Sequence, residues 1–317
     1  MFLSKKLVLG LLTGCTLALA GGVVNAAAAN VAAALSHPDR PAGDADADER
    51  RKPAQVLAFA GLETGMDVLE LEAGGGYYTE ILSRSVGPSG SVILQHPQGL
   101  MGFVGDGIDL RTANNRLPNV TVSITQFDDL DAADNSIDMV TWIQGPHELG
   151  FEPDGNSLGD AAGAFREIAR VLKPGGVLVA SDHQAAAGTG LEVGGTLHRI
   201  RGSWVTEMAE AAGLSAAGTS DLLENPDDPL TDGVFSPAIR GNTSQFSEAY
   251  RFLCGISAVF PATECCDQLI EEYLPAVLCL TYCRQNSGSN SQAILLQPLP
   301  FVAQFSQLIL RSGLVLC

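Results

Sequence analysis

The sequence predicts an α/β protein: a doubly wound, mostly parallel sheet covered by helices on both faces. Three observations lead there. The segment Val68–Glu80 joins an apolar run to three consecutive glycines, Gly74, Gly75 and Gly76, and then to a helix-like run. Short apolar runs of strand character alternate with helical periodicity through the rest of the chain. Lys173-Pro174-Gly175-Gly176 stops one helical run and turns the chain into the next strand.

Taken in order, the chain opens with a targeting segment. Lys5 and Lys6 precede the apolar, small-residue stretch Leu7–Val24, and Val24-Asn25-Ala26 offers a cleavage site, so residues 1–28 read as a signal peptide and export to the periplasm or beyond is expected. Leu12-Thr13-Gly14-Cys15 also resembles a lipobox, which would anchor the chain through Cys15. The apolar run continues past Cys15, which favours cleavage near Ala26. No later run is long enough to span a bilayer. Gly43–Arg51 is a charged leading segment, and Pro53–Ala60 reads as a helix ending at Gly61. Strands are expected at Asp67–Leu71, Ser91–Gln95, Val120–Ile124, Ile137–Ile143, Val177–Ser181 and Gln245–Phe252. Helices are expected at Tyr77–Val86, Asp160–Leu172 and Trp204–Ala212. In the second of these Ala164, Phe165, Ile168, Ala169, Val171 and Leu172 form one apolar stripe.

Composition narrows the function. The formal charge of −18 argues against nonspecific nucleic-acid binding and against docking on an anionic membrane. With 46% hydrophobic but only 6% aromatic residues, the core is expected to be built from Ala, Val and Leu. The glycine turn is the informative site. It follows an acidic strand end and opens a helix, and without Cβ atoms the backbone can approach a nucleotide-like ligand closely.

These residues resemble the class I S-adenosylmethionine-dependent methyltransferases. Glu70-x-Glu72-x-Gly74-x-Gly76 is similar to their first motif, and Asp134-Asn135-Ser136-Ile137-Asp138 to the segment entering their fourth strand. Phe165-Arg166-Glu167 through Arg170–Gly176 is similar to their fourth helix and the turn into strand five. His37-Pro38-Asp39-Arg40, Arg51-Lys52-Pro53, Asp182-His183 and Thr196-Leu197-His198-Arg199 are similar to an exported bacterial subgroup of predicted methyltransferases. The resemblance spans Ser36 to Phe252 and implies a Rossmann-like, seven-stranded sheet with the last strand antiparallel. It implies S-adenosylmethionine as cofactor, held by Glu70, Glu72, Gly74, Gly75, Gly76 and Tyr77, with Gln95 and Asp128 beyond the turn. Two positions depart from the family pattern. Glu72 stands where the first glycine is usual, and Gln95-His96 where relatives place a carboxylate for the ribose.

Methyl transfer needs alignment and sometimes a base. Of five histidines, His147 follows strand four, His183 follows strand five after Asp182, and His198 lies in the next connection. His147, Asp182 and His183 are therefore expected to face a small-molecule methyl acceptor. The histidine spacing offers no metal-ligand motif, so no metal is expected. Gly155-Asn156-Ser157-Leu158-Gly159 matches the nucleophile-elbow pattern, but Phe151–Asp154 before it reads as loop rather than the strand that motif requires. The rival to an enzyme is an exported ligand-binding protein that keeps the fold without catalysis. Residues 253–317 differ in composition and hold six of the seven cysteines with no lysine or histidine. They read as an added subdomain, a docking tail or, since no polar periodicity organises them, a read-through past the natural end.

Overall fold

In the computed structural model, which describes residues 28–253, seven strands make one sheet. They are β1 (Asp67–Leu71), β2 (Ser91–Gln95), β3 (Val120–Ser123), β4 (Ile137–Ile143), β5 (Leu172–His183), β6 (Leu214–Ser220) and β7 (Gln245–Phe252). The order across the sheet is β3-β2-β1-β4-β5-β7-β6. Neighbours from β3 to β5 are parallel, and β7 runs antiparallel to both β5 and β6. The expected seven-stranded sheet with an antiparallel last strand is therefore present. The targeting segment, Cys15 and the cysteine-bearing stretch fall in residues 1–27 and 254–317, outside the described residues.

Nine α-helices accompany the sheet among the described residues: α1 (Val31–Leu35), α2 (Ala45–Arg51), α3 (Pro53–Ala60), α4 (Tyr77–Val86), α5 (Met101–Val104), α6 (Gly107–Thr112), α7 (Ala161–Val171), α8 (Val193–Leu197) and α9 (Gly202–Ala211). None is long and apolar enough to cross a membrane. Strand periodicity of two divides the core between the faces. Val68, Met139 and Val179 pack with Leu57 of α3 and Tyr78, Ile81 and Leu82 of α4. Their neighbours Leu69, Leu71, Val140, Trp142 and Leu178 pack on the opposite face with Phe165 and Ile168 of α7 and Val205 of α9. That is the doubly wound arrangement, and it puts the strand ends between two helical layers.

Local chemistry sets the element ends. Asp160 caps α7 by accepting the Gly163 N–H at 2.7 Å. The helix ends at Val171, because Leu172 is already extended (φ −67°, ψ 132°) and Lys173 precedes a proline. β5 begins at Leu172 rather than at the expected Val177: Ile137 pairs with Leu172 and Met139 with Val177, so residues 173–176 bulge from the ladder. Lys173 Nζ secures the bulge at 2.8 Å from Asp138 and 3.2 Å from Asp67. The charged leading segment is partly helical (α2), held by the Arg40–Asp48 pair at 2.6–2.7 Å rather than by an apolar stripe. β6 was not anticipated, since Leu214-Ser215-Ala216-Ala217-Gly218 carries almost no strand signal.

Candidate active site

The alternation that sends Leu69 and Leu71 to one face puts Glu70 on the other, beneath the glycine turn. Its carboxyl group is buried and accepts from the hydroxyl of Thr79 in the first turn of α4. Burial pushes Glu70 up to about 8. Glu72 follows in the left-handed region (φ 50°), where a glycine would sit without strain. Burial, with Glu148 beside it, raises Glu72 well above the usual carboxylate range. Gly76 opens α4 at φ 78°, and Arg111 of α6 crosses the turn, donating to the Gly75 carbonyl at 3.2 Å. A Cβ on Gly76 would lie 3.0 Å from the Arg111 side chain, whereas one on Gly75 would meet nothing within 4 Å.

A cavity of about 230 Å³ sits on this turn, lined by Glu70, Glu72, Gly74, Gly75, Tyr77 and Arg51, among others. Tyr77 is held at its edge. The hydroxyl donates to Asp48 at 2.6 Å and the Arg51 guanidinium lies 4.7 Å above the ring. Arg51 is the C-terminal residue of α2, so the charged leading segment covers the turn and supplies the cavity with a cation.

A second cavity, of about 390 Å³, abuts the first and shares Glu72 and Gln144 with it. Its walls include His96, His147, Glu148, His183 and His198 together with Leu100, Phe103, Phe151 and Phe235. His147 stands on the short 3-10 turn Pro146–Gly150 after β4. Asp182, at the end of β5, is fully buried and lines neither cavity. Its oxygens accept from the backbone N–H of His147 at 2.7 Å, from that of His183 at 2.7 Å, and from the His147 ring at Nδ1. Burial disfavours charge on His147, but the Asp182 and Glu148 carboxylates outweigh it and raise the imidazole to about 10. Burial pushes His183 the other way, down to about 4, and its Nδ1 lies 2.7 Å from the Thr243 hydroxyl. His198 reaches the cluster from the turn after α8. Arg199 anchors that turn through a fully buried bidentate pair with Asp228 at 2.9 and 3.0 Å.

Folding thus gathers Glu70, Glu72, Gly74, Gly75 and Tyr77 at the first cavity and His147 and His183 at the second. Gln95 and Asp128 stand apart from both. Gln95 is fully buried and its amide is spent on the turn, accepting from Glu72 N–H at 3.0 Å and donating to the Thr125 carbonyl at 2.7 Å. Asp128 accepts from Asp160 N–H at 2.7 Å and so braces the start of α7. Ser157 is exposed, and no strand directly precedes it. Arg51, His96, Gln144 and Glu148 also line the two cavities, and no motif in the sequence gives them a role. Only proximity to the quoted motifs could have flagged them.

The buried carboxyl of Glu70, the partly buried one of Glu72, the Arg51 guanidinium and the open space over Gly75 fit a zwitterionic, cationic ligand such as the amino-acid part of S-adenosylmethionine. Residues 62–213 match a family model described as a methyltransferase domain. The ubiquinone/menaquinone biosynthesis C-methyltransferase of Pseudomonas savastanoi is 33% identical over 128 residues, 39% of this chain and 44% of that protein. Its counterpart in Pseudomonas fluorescens is 32% identical over the same shares. The chain thus spans less than half the length of the curated relatives it matches. Among solved structures, a SAM-dependent methyltransferase from Aquifex aeolicus is 21% identical with a TM-score of 0.47, covering 65% of this chain and 93% of that one. Strand order and glycine turn agree with the family match: residues 62–213 carry a methyltransferase domain.

Proposed function

We propose that the protein transfers a methyl group from S-adenosylmethionine to a small-molecule acceptor. The observation that carries this reading is the meeting of the two cavities at Glu72 and Gln144. Glu70 and Arg51 would hold the amino-acid ends of the cofactor, and Gly74 and Gly75 would let it lie against the backbone. When bound, the cofactor supplies an electrophilic methyl group on a sulfonium. Burial disfavours charge on Glu72 in the empty site, and a sulfonium at the junction would draw it toward its carboxylate form. Phe103, Phe151 and Phe235 would pack an apolar acceptor body, with Phe103 and Phe235, 73% and 62% exposed, forming the rim. His183 is the imidazole suited to take a proton, since it stays neutral above about pH 4. His147, held as a cation, would orient rather than accept.

Transfer of a labelled methyl group from S-adenosylmethionine to panels of small phenols, thiols and amines tests this. Product is expected from acceptors with an apolar body. Cofactor binding with no transfer to any class would favour the ligand-binding reading. We further propose export, on the strength of Lys5, Lys6 and the apolar stretch Leu7–Val24. Chain from the periplasmic fraction should begin between Ala27 and Ala29, and a cytosolic chain retaining Met1 would refute it.

A further inference from the structure

The second cavity contains a donor set in which two separations match the edge of a metal polyhedron. His147 Nε2 lies 3.3 Å from Glu148 Oε1 and 3.3 Å from His198 Nδ1. Ligand atoms of all three residues fall within 4.8 Å of one another. In a tetrahedral site with bonds of 2.0–2.1 Å the edge between two ligand atoms is about 3.3 Å. Two imidazoles and one carboxylate form the set found where zinc keeps a fourth position open for chemistry.

The surroundings suit that reading. Asp182 accepts at His147 Nδ1 from 2.9 Å with each oxygen, which fixes one proton on Nδ1; a metal would displace the other proton of the imidazolium from Nε2, the nitrogen that faces Glu148 and His198. A carboxylate behind a ligating histidine is the usual support for such a ligand. Two independent observations concern unspent polar atoms. Glu148 is 9% exposed and its Oε2 has no hydrogen-bond partner. His96, 1% exposed, lines the same cavity with neither ring nitrogen partnered. Buried polar atoms without partners are rare, and an ion held by His147, Glu148 and His198 would account for Glu148 Oε2. Phe151 and Phe235, with ring centroids 6.0 and 4.9 Å from that of His198, give the site an apolar flank.

We propose that His147 Nε2, Glu148 and His198 Nδ1 bind a divalent transition metal, zinc or a near neighbour in ligand preference, with an open position toward the acceptor cavity. The donor set of imidazole and carboxylate, without thiolate, selects against Mg²⁺ and Ca²⁺, which prefer all-oxygen ligation. The open position would take an oxygen or sulfur of the acceptor and lower its pKa. Metal binding here does not depend on the methyl-transfer reading.

The test uses the full chain, metal-depleted and with its cysteine thiols alkylated so that they cannot bind metal. Competition with a chromophoric chelator measures Zn²⁺ stoichiometry and affinity, with Mg²⁺ as control. One equivalent of Zn²⁺ and no Mg²⁺ are expected. Glu148→Gln and His198→Asn should each weaken Zn²⁺ binding at least 100-fold, and Asp182→Asn by about 10–100-fold. Asparagine is chosen because His198 sits at φ 53°, which asparagine tolerates. In the unaltered site, Co²⁺ should give the intense visible absorption of four-coordinate nitrogen and oxygen ligation. Absence of that spectrum, no Zn²⁺ uptake, or equal affinity in wild type and both ligand variants would overturn the proposal and leave a hydrogen-bonded cluster.

Discussion

The Nδ1 of His147 lies 2.9 Å from both carboxylate oxygens of Asp182, and that pairing joins the ends of β4 and β5. Asp182 was expected to face the acceptor, but it stands behind His147 and sets its orientation. Asp182→Asn should therefore destabilise the protein by about 3 kcal/mol, as breaking a buried charged pair does. Denaturant unfolding measures it. An unchanged midpoint would mean that the pair does not hold the two strand ends together.

Glu72 occupies a left-handed conformation in a partly buried position. Glu72→Gly should raise stability by about 1–3 kcal/mol by relieving backbone strain, while slowing methyl transfer. Lower stability for this variant would show that the carboxylate is held by contacts that compensate the strain.

Stability should depend on pH through Glu70. In the unfolded chain this carboxyl ionises near its ordinary value of 4.5, and in the folded protein only at about 8. The unfolded state thus loses its proton first, and stability falls as pH rises across that window. Glu72 is shifted in the same direction and adds to the fall. Glu70→Gln should flatten part of the slope. Identical pH–stability curves for wild type and variant would rule out an uncharged Glu70.

If His183 takes the acceptor's proton, His183→Gln should lower turnover by roughly 10²–10⁴-fold with little change in cofactor affinity. Its ionisation near pH 4 predicts no loss of rate between pH 8 and 6 from this group. A variant with full turnover would leave alignment alone to explain catalysis.

Arg51 is the cation that α2 delivers to the glycine-turn cavity. Arg51→Ala should weaken S-adenosylhomocysteine binding about 10–100-fold, the range for a charge-assisted hydrogen bond. Unchanged affinity would turn the leading segment into a structural cover only.

Much of this architecture was legible where apolar runs end in glycine or proline. β1, β2, β4, β7, α3 and α4 lie at the expected residues, because Gly61, Gly76, Gly87 and the residues around them punctuate the pattern. β6 was hidden because an edge strand of Ser, Ala and Gly has no periodicity to read. α2 was hidden because ion pairs, not an apolar stripe, hold it. At the site, strand order brought His147 and His183 together, and that much followed from their positions after strands four and five. The histidine–glutamate cluster did not, since His198 lies 51 residues from His147 and meets it only through the turn anchored by Arg199 and Asp228. Gln95 and Asp128 carry a family expectation of cofactor contact, and in the structure their side chains bond to the backbone of Glu72, Thr125 and Asp160.

The most direct test of the account is calorimetric titration of S-adenosylhomocysteine into wild type and Gly75→Leu. Gly75 has no positive φ and open space where its Cβ would project, so leucine fills the cavity without straining the turn. Gly76→Val is a poorer probe, because φ 78° and the Arg111 side chain oppose any Cβ there. Saturable binding at one site is expected in wild type, and its loss in a Gly75→Leu protein whose thermal midpoint is nearly unchanged. Equal binding by both proteins, or none by wild type, would contradict it.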